Sequence, residues 1–189
     1  MESMFHFDTD GLTTRNINFS LQRSVIQCME IMTNEQLDYA ARENFCWAVS
    51  LALNGLPHFG NAGDWNVHYI EHCLSAFNDN IAHGEGLAVI SNHYYPIMYK
   101  HGICTKQFEL WAKEVMGEDD VNKALEKYTQ LLKKWKAPLT LPDIGIKEAS
   151  EIEKIADYFV EHSALGIQSP VNTLTREGVK EILVASLTV

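Results

Sequence analysis

The chain is expected to be all-α, a single multi-helix bundle of seven or eight helices around one core. Three observations predict this. Apolar residues recur at helical spacing almost throughout. No alternating apolar/polar run is long enough to specify a strand. The 189 residues, 46% of them hydrophobic, suffice to bury one substantial core.

The elements follow in order. Residues 18–31 read as an amphipathic helix. Thr33-Asn34-Glu35 opens a second helix, with an acid early in the first turn to suit the helix dipole. Tyr39, Phe45, Cys46, Val49 and Leu53 form its apolar stripe, and Asn54-Gly55 ends it. Residues 55–63, rich in glycine and holding a proline, form a loop. Asp64 is placed to cap a third helix, WNVHYIEHCLSAF, by accepting from its free backbone N–H groups. After the loop NDNIAHGEG come helices over about 87–99, 106–116 and 121–135. Pro138 and Pro142 break the chain. The last two helices span 149–162 and 176–187, with Thr175 capping the second.

Charge limits the partners. The formal net charge is −10, which excludes a phosphate-binding basic surface and therefore nucleic acid, and disfavours an anionic membrane. The charge is uneven. Residues 1–99 hold only Arg15, Arg23 and Arg42 against eleven acids, and no lysine precedes Lys100. Either exposed helices of the second half use lysine for solubility, or the first half faces something other than bulk water. No apolar run reaches transmembrane length, and residues 1–10 lack the pattern of a signal peptide, so a cytoplasmic protein is expected. Cys28, Cys46, Cys73 and Cys104 form no close pair and read as reduced, mostly buried thiols rather than zinc ligands.

Three of the eight histidines are crowded together: His68, His72 and His83. His68 and His72 are four apart on one helix, hence only about 40° apart around its axis, a geometry that lets two imidazoles reach one metal. The same spacing occurs in solvated surface histidines. Val67, Ile70, Leu74 and Phe77 lie on the opposite side of the helix. His83 stands before Gly84, where a sharp turn is expected. His68-Tyr69-Ile70-Glu71-His72 also matches H-x-x-E-H, a zinc-peptidase pattern in which the glutamate is general base. That chemistry needs a substrate-binding sheet, for which the sequence shows no strands.

A longer signature includes these residues. Asn54-Gly55-Leu56, Gly63-Asp64-Trp65, His68-x-x-Glu71-His72-x-Leu74-Ser75-Ala76 and Ala82-His83-Gly84-x-Gly86-Leu87-Ala88 closely resemble the iron-containing alcohol dehydrogenases, in particular their butanol dehydrogenase branch. Trp111, Pro138-Leu139-Thr140-Leu141, Ile144-Gly145-Ile146 and the closing Leu174-Thr175 agree. The similarity covers residues 17–189 and leaves 1–16 unmatched. It implies the all-helical C-terminal domain of an enzyme whose N-terminal domain binds NAD(P), with the active site in the cleft between them. By the resemblance, His68 and His83 are metal ligands for Fe²⁺ or Zn²⁺. His72 is implied to be the catalytic histidine that lines the substrate site and takes part in proton transfer.

The departures from the family are as informative. The family's first two ligands, an aspartate and a histidine four residues later, have no D-x-x-x-H before residue 17, where His6 precedes Asp8 and Asp10. There is no glycine-rich phosphate loop and no βαβ pattern, so this chain alone is expected not to bind NAD(P). The interval from His72 to His83 looks one residue longer than in the family, which would displace His83 or bulge the loop. Metal affinity is expected to be weak, because two imidazoles do not complete a four-ligand site. Three functions are compatible with these residues. The chain is the metal-binding half of an alcohol or aldehyde oxidoreductase that needs a dinucleotide-binding chain in trans; or a non-catalytic remnant that forms a homo-oligomer; or, remotely, an H-x-x-E-H zinc peptidase. A missing partner domain should leave an apolar patch, expected at Phe59, Trp65 and Tyr69.

Overall fold

The computed structural model describes residues 1–5, 11–34, 38–58, 63–163, 169 and 171–189. Among these residues there are eight α-helices and no strand. They are α1 (Leu12–Met32), α2 (Tyr39–Leu53), α3 (Asn66–Phe77), α4 (His83–Lys100), α5 (Thr105–Trp111), α6 (Val121–Lys134), α7 (Ala149–Ser163) and α8 (Arg176–Ala185). None is long and apolar enough to cross a membrane.

Local chemistry sets several helix starts. Asp38 caps α2 by accepting from the Ala41 N–H, and Asp120 caps α6 by accepting from Asn122 and Lys123. Thr175 caps α8, as the sequence indicates, by accepting from the Gly178 N–H at 3.1 Å. The last turn after α5 widens into a π-helical segment, Ala112–Met116, closed by Gly117 at φ +71°. The Thr33-Asn34-Glu35 start expected for the second helix is not used. Thr33 and Asn34 follow the end of α1, and Glu35 lies outside the described residues.

The core is assembled around α4, which packs on α3, α6 and α8. It buries Val89, Ile90, Tyr94, Tyr95 and Met98, each contributing about 1.5–3 kcal/mol relative to exposure. Val67, Ile70 and Leu74 of α3, Phe108 and Trp111 of α5, and Val179, Ile182 and Leu183 of α8 complete it. The segment before α1 belongs to the same core: Met4 and Phe5 are buried, and the Phe5 ring lies 4.8 Å from that of Phe108. Cys28 and Cys73 are buried, Cys104 is half-buried and Cys46 is exposed; all four are free thiols.

The stripe expected on α2 is turned the other way. Its buried residues are Ala41 and Ala48, seven apart, while Tyr39, Cys46, Val49 and Leu53 face solvent. Small residues let α2 approach its neighbour α1 closely, and that contact takes precedence over the larger apolar side chains.

Candidate metal centre

The site is built on the facing ends of α3 and α4. The chain enters α3 through two left-handed residues, Gly63 at φ +72° and Trp65 at φ +65°. A Cβ on Gly63 would meet the Trp65 indole at 2.5 Å, so this reversal requires glycine. Asp64 is not the cap the sequence suggests. It is fully buried and accepts instead from the Ser169 hydroxyl (2.6 Å) and the Asn66 amide (3.1 Å). Burial pushes its carboxyl up to about 6, and its Oδ2 has no hydrogen-bond partner among the described residues.

The capping role passes to a residue far away in sequence. Glu2 Oε1 accepts from the backbone N–H of Val67 (2.7 Å) and of His68 (3.3 Å), the free donors at the start of α3. Its second oxygen, Oε2, meets His68 Nδ1. Glu2 is only 6% exposed, so one buried carboxylate both closes the helix end and touches a predicted ligand.

His83 is reached differently from the expectation. It is the first residue of α4 rather than a loop residue, and Gly84 lies within the helix instead of forming a turn. Its Nδ1 meets Oε2 of Glu71, a fully buried carboxylate whose Oε1 accepts from the Ser75 hydroxyl at 2.6 Å. Gly86 allows this arrangement, because a Cβ there would lie 2.7 Å from Glu71 Cγ.

The three predicted imidazoles come together despite the loop between them. Ring centres are 5.4 Å apart for His68–His83, 5.6 Å for His72–His83 and 6.4 Å for His68–His72. Two imidazoles sharing one ion at about 2.1 Å place their ring centres roughly 5 Å apart, close to the separation of His68 and His83. His72 Nε2 lies 4.0 Å from Glu71 Oε2, and Glu71, His72 and His83 also bring potential ligand atoms within 4.8 Å of one another. The cluster is partly open to solvent: the side chains are 26%, 66% and 52% exposed for His68, His72 and His83. His68 borders a groove of about 350 Å³ walled by Met1, Leu53, Trp65, Leu87 and Leu132.

Trp65 and Tyr69 are half-buried near the histidines, with the Trp65 ring 5.5 Å from that of His68. Phe59 lies outside the described residues, as do His6, Asp8 and Asp10. The larger exposed apolar side chains are instead on α2: Tyr39 (79%), Leu53 (71%) and Trp47 (65%). Sequence reasoning missed Glu2 and the orienting contact of Glu71. Glu71 could have been noticed as an acid bordering the buried stripe of α3. Glu2 was marked only by standing four residues before His6, the spacing of the family's first two ligands with glutamate in place of aspartate, and it reaches His68 across 66 positions.

Comparison with known proteins gives the chain's family and fold. The model of the Fe-containing alcohol dehydrogenase family, C-terminal, matches residues 1–187. Probable NADH-dependent butanol dehydrogenase 1 of Bacillus subtilis is 31% identical over 98% of this chain and 48% of its own length. NADH-dependent butanol dehydrogenase B of Clostridium acetobutylicum is 35% identical over 68% of this chain and 35% of its own. The crystal structure of NADH-dependent butanol dehydrogenase A from Thermotoga maritima superimposes with a TM-score of 0.88 at 31% identity, covering 99% of this chain and 49% of that one. The chain thus spans at most about half the length of the relatives it matches. By the family match and the shared fold, it belongs to the Fe-containing alcohol dehydrogenase family and corresponds to its C-terminal domain.

Proposed function

We propose that this chain is the metal-binding half of an NAD(P)-dependent alcohol or aldehyde oxidoreductase and is inactive without a dinucleotide-binding domain. The observation that carries this is the convergence of His68, His72 and His83 beside an apolar-walled groove. His68 and His83 would be among the residues that hold Fe²⁺ or Zn²⁺. When bound, the metal supplies Lewis-acid polarisation of the substrate oxygen, and the nicotinamide supplies the hydride. His72, the most exposed of the three, carries the proton to or from that oxygen. Trp65 and Leu87 line the groove that His68 borders. Glu71 is enclosed, with both oxygens engaged, which favours a supporting role over that of a peptidase base.

Anaerobic calorimetric titration of the chain with Fe²⁺ and Zn²⁺ tests this reading. Weak but saturable binding should appear and vanish in His68→Ala and in His83→Ala. NAD(P)H-dependent aldehyde reduction should be absent until a dinucleotide-binding chain is added. A wild-type titration indistinguishable from that of His68→Ala would favour the second reading, a self-associating remnant, which the exposed aromatic face of α2 supports.

A further inference from the structure

We propose that the cavity enclosed by α1, the segment after α5 and α6 binds a small uncharged aromatic molecule that carries one acceptor oxygen. The site is independent of the metal. The cavity measures about 270 Å³ and is walled by Leu21, Val25 and Ile26 of α1, by Trp111 and Met116, and by Trp135. An apolar cavity of about 150 Å³ takes up benzene, so this one has room for a substituted benzene ring. It shares Met1, Ser3, Ala52 and Tyr128 with the groove beside His68. Among the described residues, no histidine and no charged side chain lines it.

Two features select the ligand. The first is the π-helical segment Ala112–Met116, a geometry that recurs at functional sites. Trp111 and Met116 are five residues apart, which in an α-helix would set them about 140° apart around the axis. The i→i+5 pattern brings residues at that spacing nearly into line, and both are buried side chains of the cavity wall. The widened turn is held from both sides. Arg23 of α1 donates to the Glu114 carbonyl at 3.0 Å, and Lys127 of α6 donates to the carbonyl of Met116. An indole and a polarisable thioether on one wall suit an aromatic ring. The second feature is polarity. Trp111 Nε1 donates to Gln22 Oε1 (3.0 Å), Gln22 Nε2 to Asn18 Oδ1 (2.6 Å) and Asn18 Nδ2 to Ser3 Oγ (2.7 Å). The Tyr128 hydroxyl pairs with that of Ser91 at 2.8 Å. These side chains satisfy one another and do not call for a polar ligand. Trp135 differs: its indole N–H is buried and has no hydrogen-bond partner among the described residues. A buried donor in that state favours a ligand oxygen that accepts from it.

The test is NMR titration of the metal-free chain, ¹³C-labelled at its methionine methyl groups, with acetophenone and with ethylbenzene. The two probes have similar shapes, and only acetophenone carries an acceptor oxygen. Both should bind saturably and shift the Met116 methyl resonance, which is assigned by its loss in Met116→Leu. Trp135→Phe keeps a ring and removes the N–H. It should weaken acetophenone about 5–10-fold and change ethylbenzene by less than about twofold. Val25→Phe fills the cavity and should abolish binding of both probes, whereas His68→Ala should leave both affinities as they are. A wild-type Met116 methyl that neither probe shifts overturns the proposal, whatever the variants do. So does binding that is lost in His68→Ala and kept in Val25→Phe, which would place the probes in the groove beside the histidines. Equal weakening of both probes by Trp135→Phe overturns the assignment of an acceptor oxygen to the ligand.

Discussion

Burial holds the Asp64 carboxyl up at about 6, above an ordinary value of 3.8, because ionisation would leave a charge in the core whose Oδ2 has no partner among the described residues. The folded chain therefore keeps this proton more tightly than the unfolded chain. The stability it contributes is whole below about pH 4, shrinks as the pH rises, and is lost once the pH passes the folded value, a change of about 3 kcal/mol. Asp64→Asn keeps an accepting oxygen for Ser169 and removes the ionisation. Urea denaturation from pH 4 to pH 7 should show a flatter profile for the variant and, at neutral pH, up to about 3 kcal/mol more stability. An unchanged pH slope would refute this account. The same residue shows the limit of local inference. An aspartate ahead of a helical run is a sound cap prediction, but here Glu2 occupies the cap and Asp64 turns inward to Ser169.

Helix α4 meets α3 at Gly86 and not at Gly84, so the two glycines behave oppositely. A Cβ at Gly86 would strike Glu71 Cγ at 2.7 Å, and Glu71 is fully buried. Gly84 has nothing within 4 Å of a Cβ. Gly86→Ala should cost about 1–3 kcal/mol by overpacking, whereas Gly84→Ala should be neutral or stabilise by up to about 1 kcal/mol. Thermal denaturation of the two variants side by side checks the contrast, and equal effects would count against it. Helix identity was legible from sequence: the stripe Val121, Ala124, Leu125 and Leu132 of α6 is buried as its spacing requires. The buried face of α2 was not. Periodicity pointed to the larger residues Tyr39, Phe45, Cys46, Val49 and Leu53, whereas the fold buries Ala41 and Ala48.

The whole chain presents an apolar face that its own core does not cover. Tyr39, Trp47 and Leu53 are each more than half exposed on α2, and Leu53 also walls the groove beside His68. Exposed apolar surface beyond roughly 400 Å² generally marks a contact site. Sedimentation velocity at increasing concentration should reveal self-association, and the pair Trp47→Lys with Leu53→Lys should abolish it. The melting temperature should stay unchanged, because neither side chain is buried. A wild-type chain that is monomeric at every concentration would remove this prediction.

The fold class, the helix count and the family were legible in one dimension, because helical periodicity, capping residues and motif spacing are properties of neighbours in sequence. The pairing of His68 with His72 was legible for the same reason. The partners that orient the imidazoles were not. Glu2 meets His68 across 66 positions and Glu71 meets His83 across 12, through contacts that exist only once α3 and α4 are packed. Which face of α2 is buried, and which acid caps α3, likewise depend on non-local packing, where close approach and the satisfaction of buried polar groups override the local pattern.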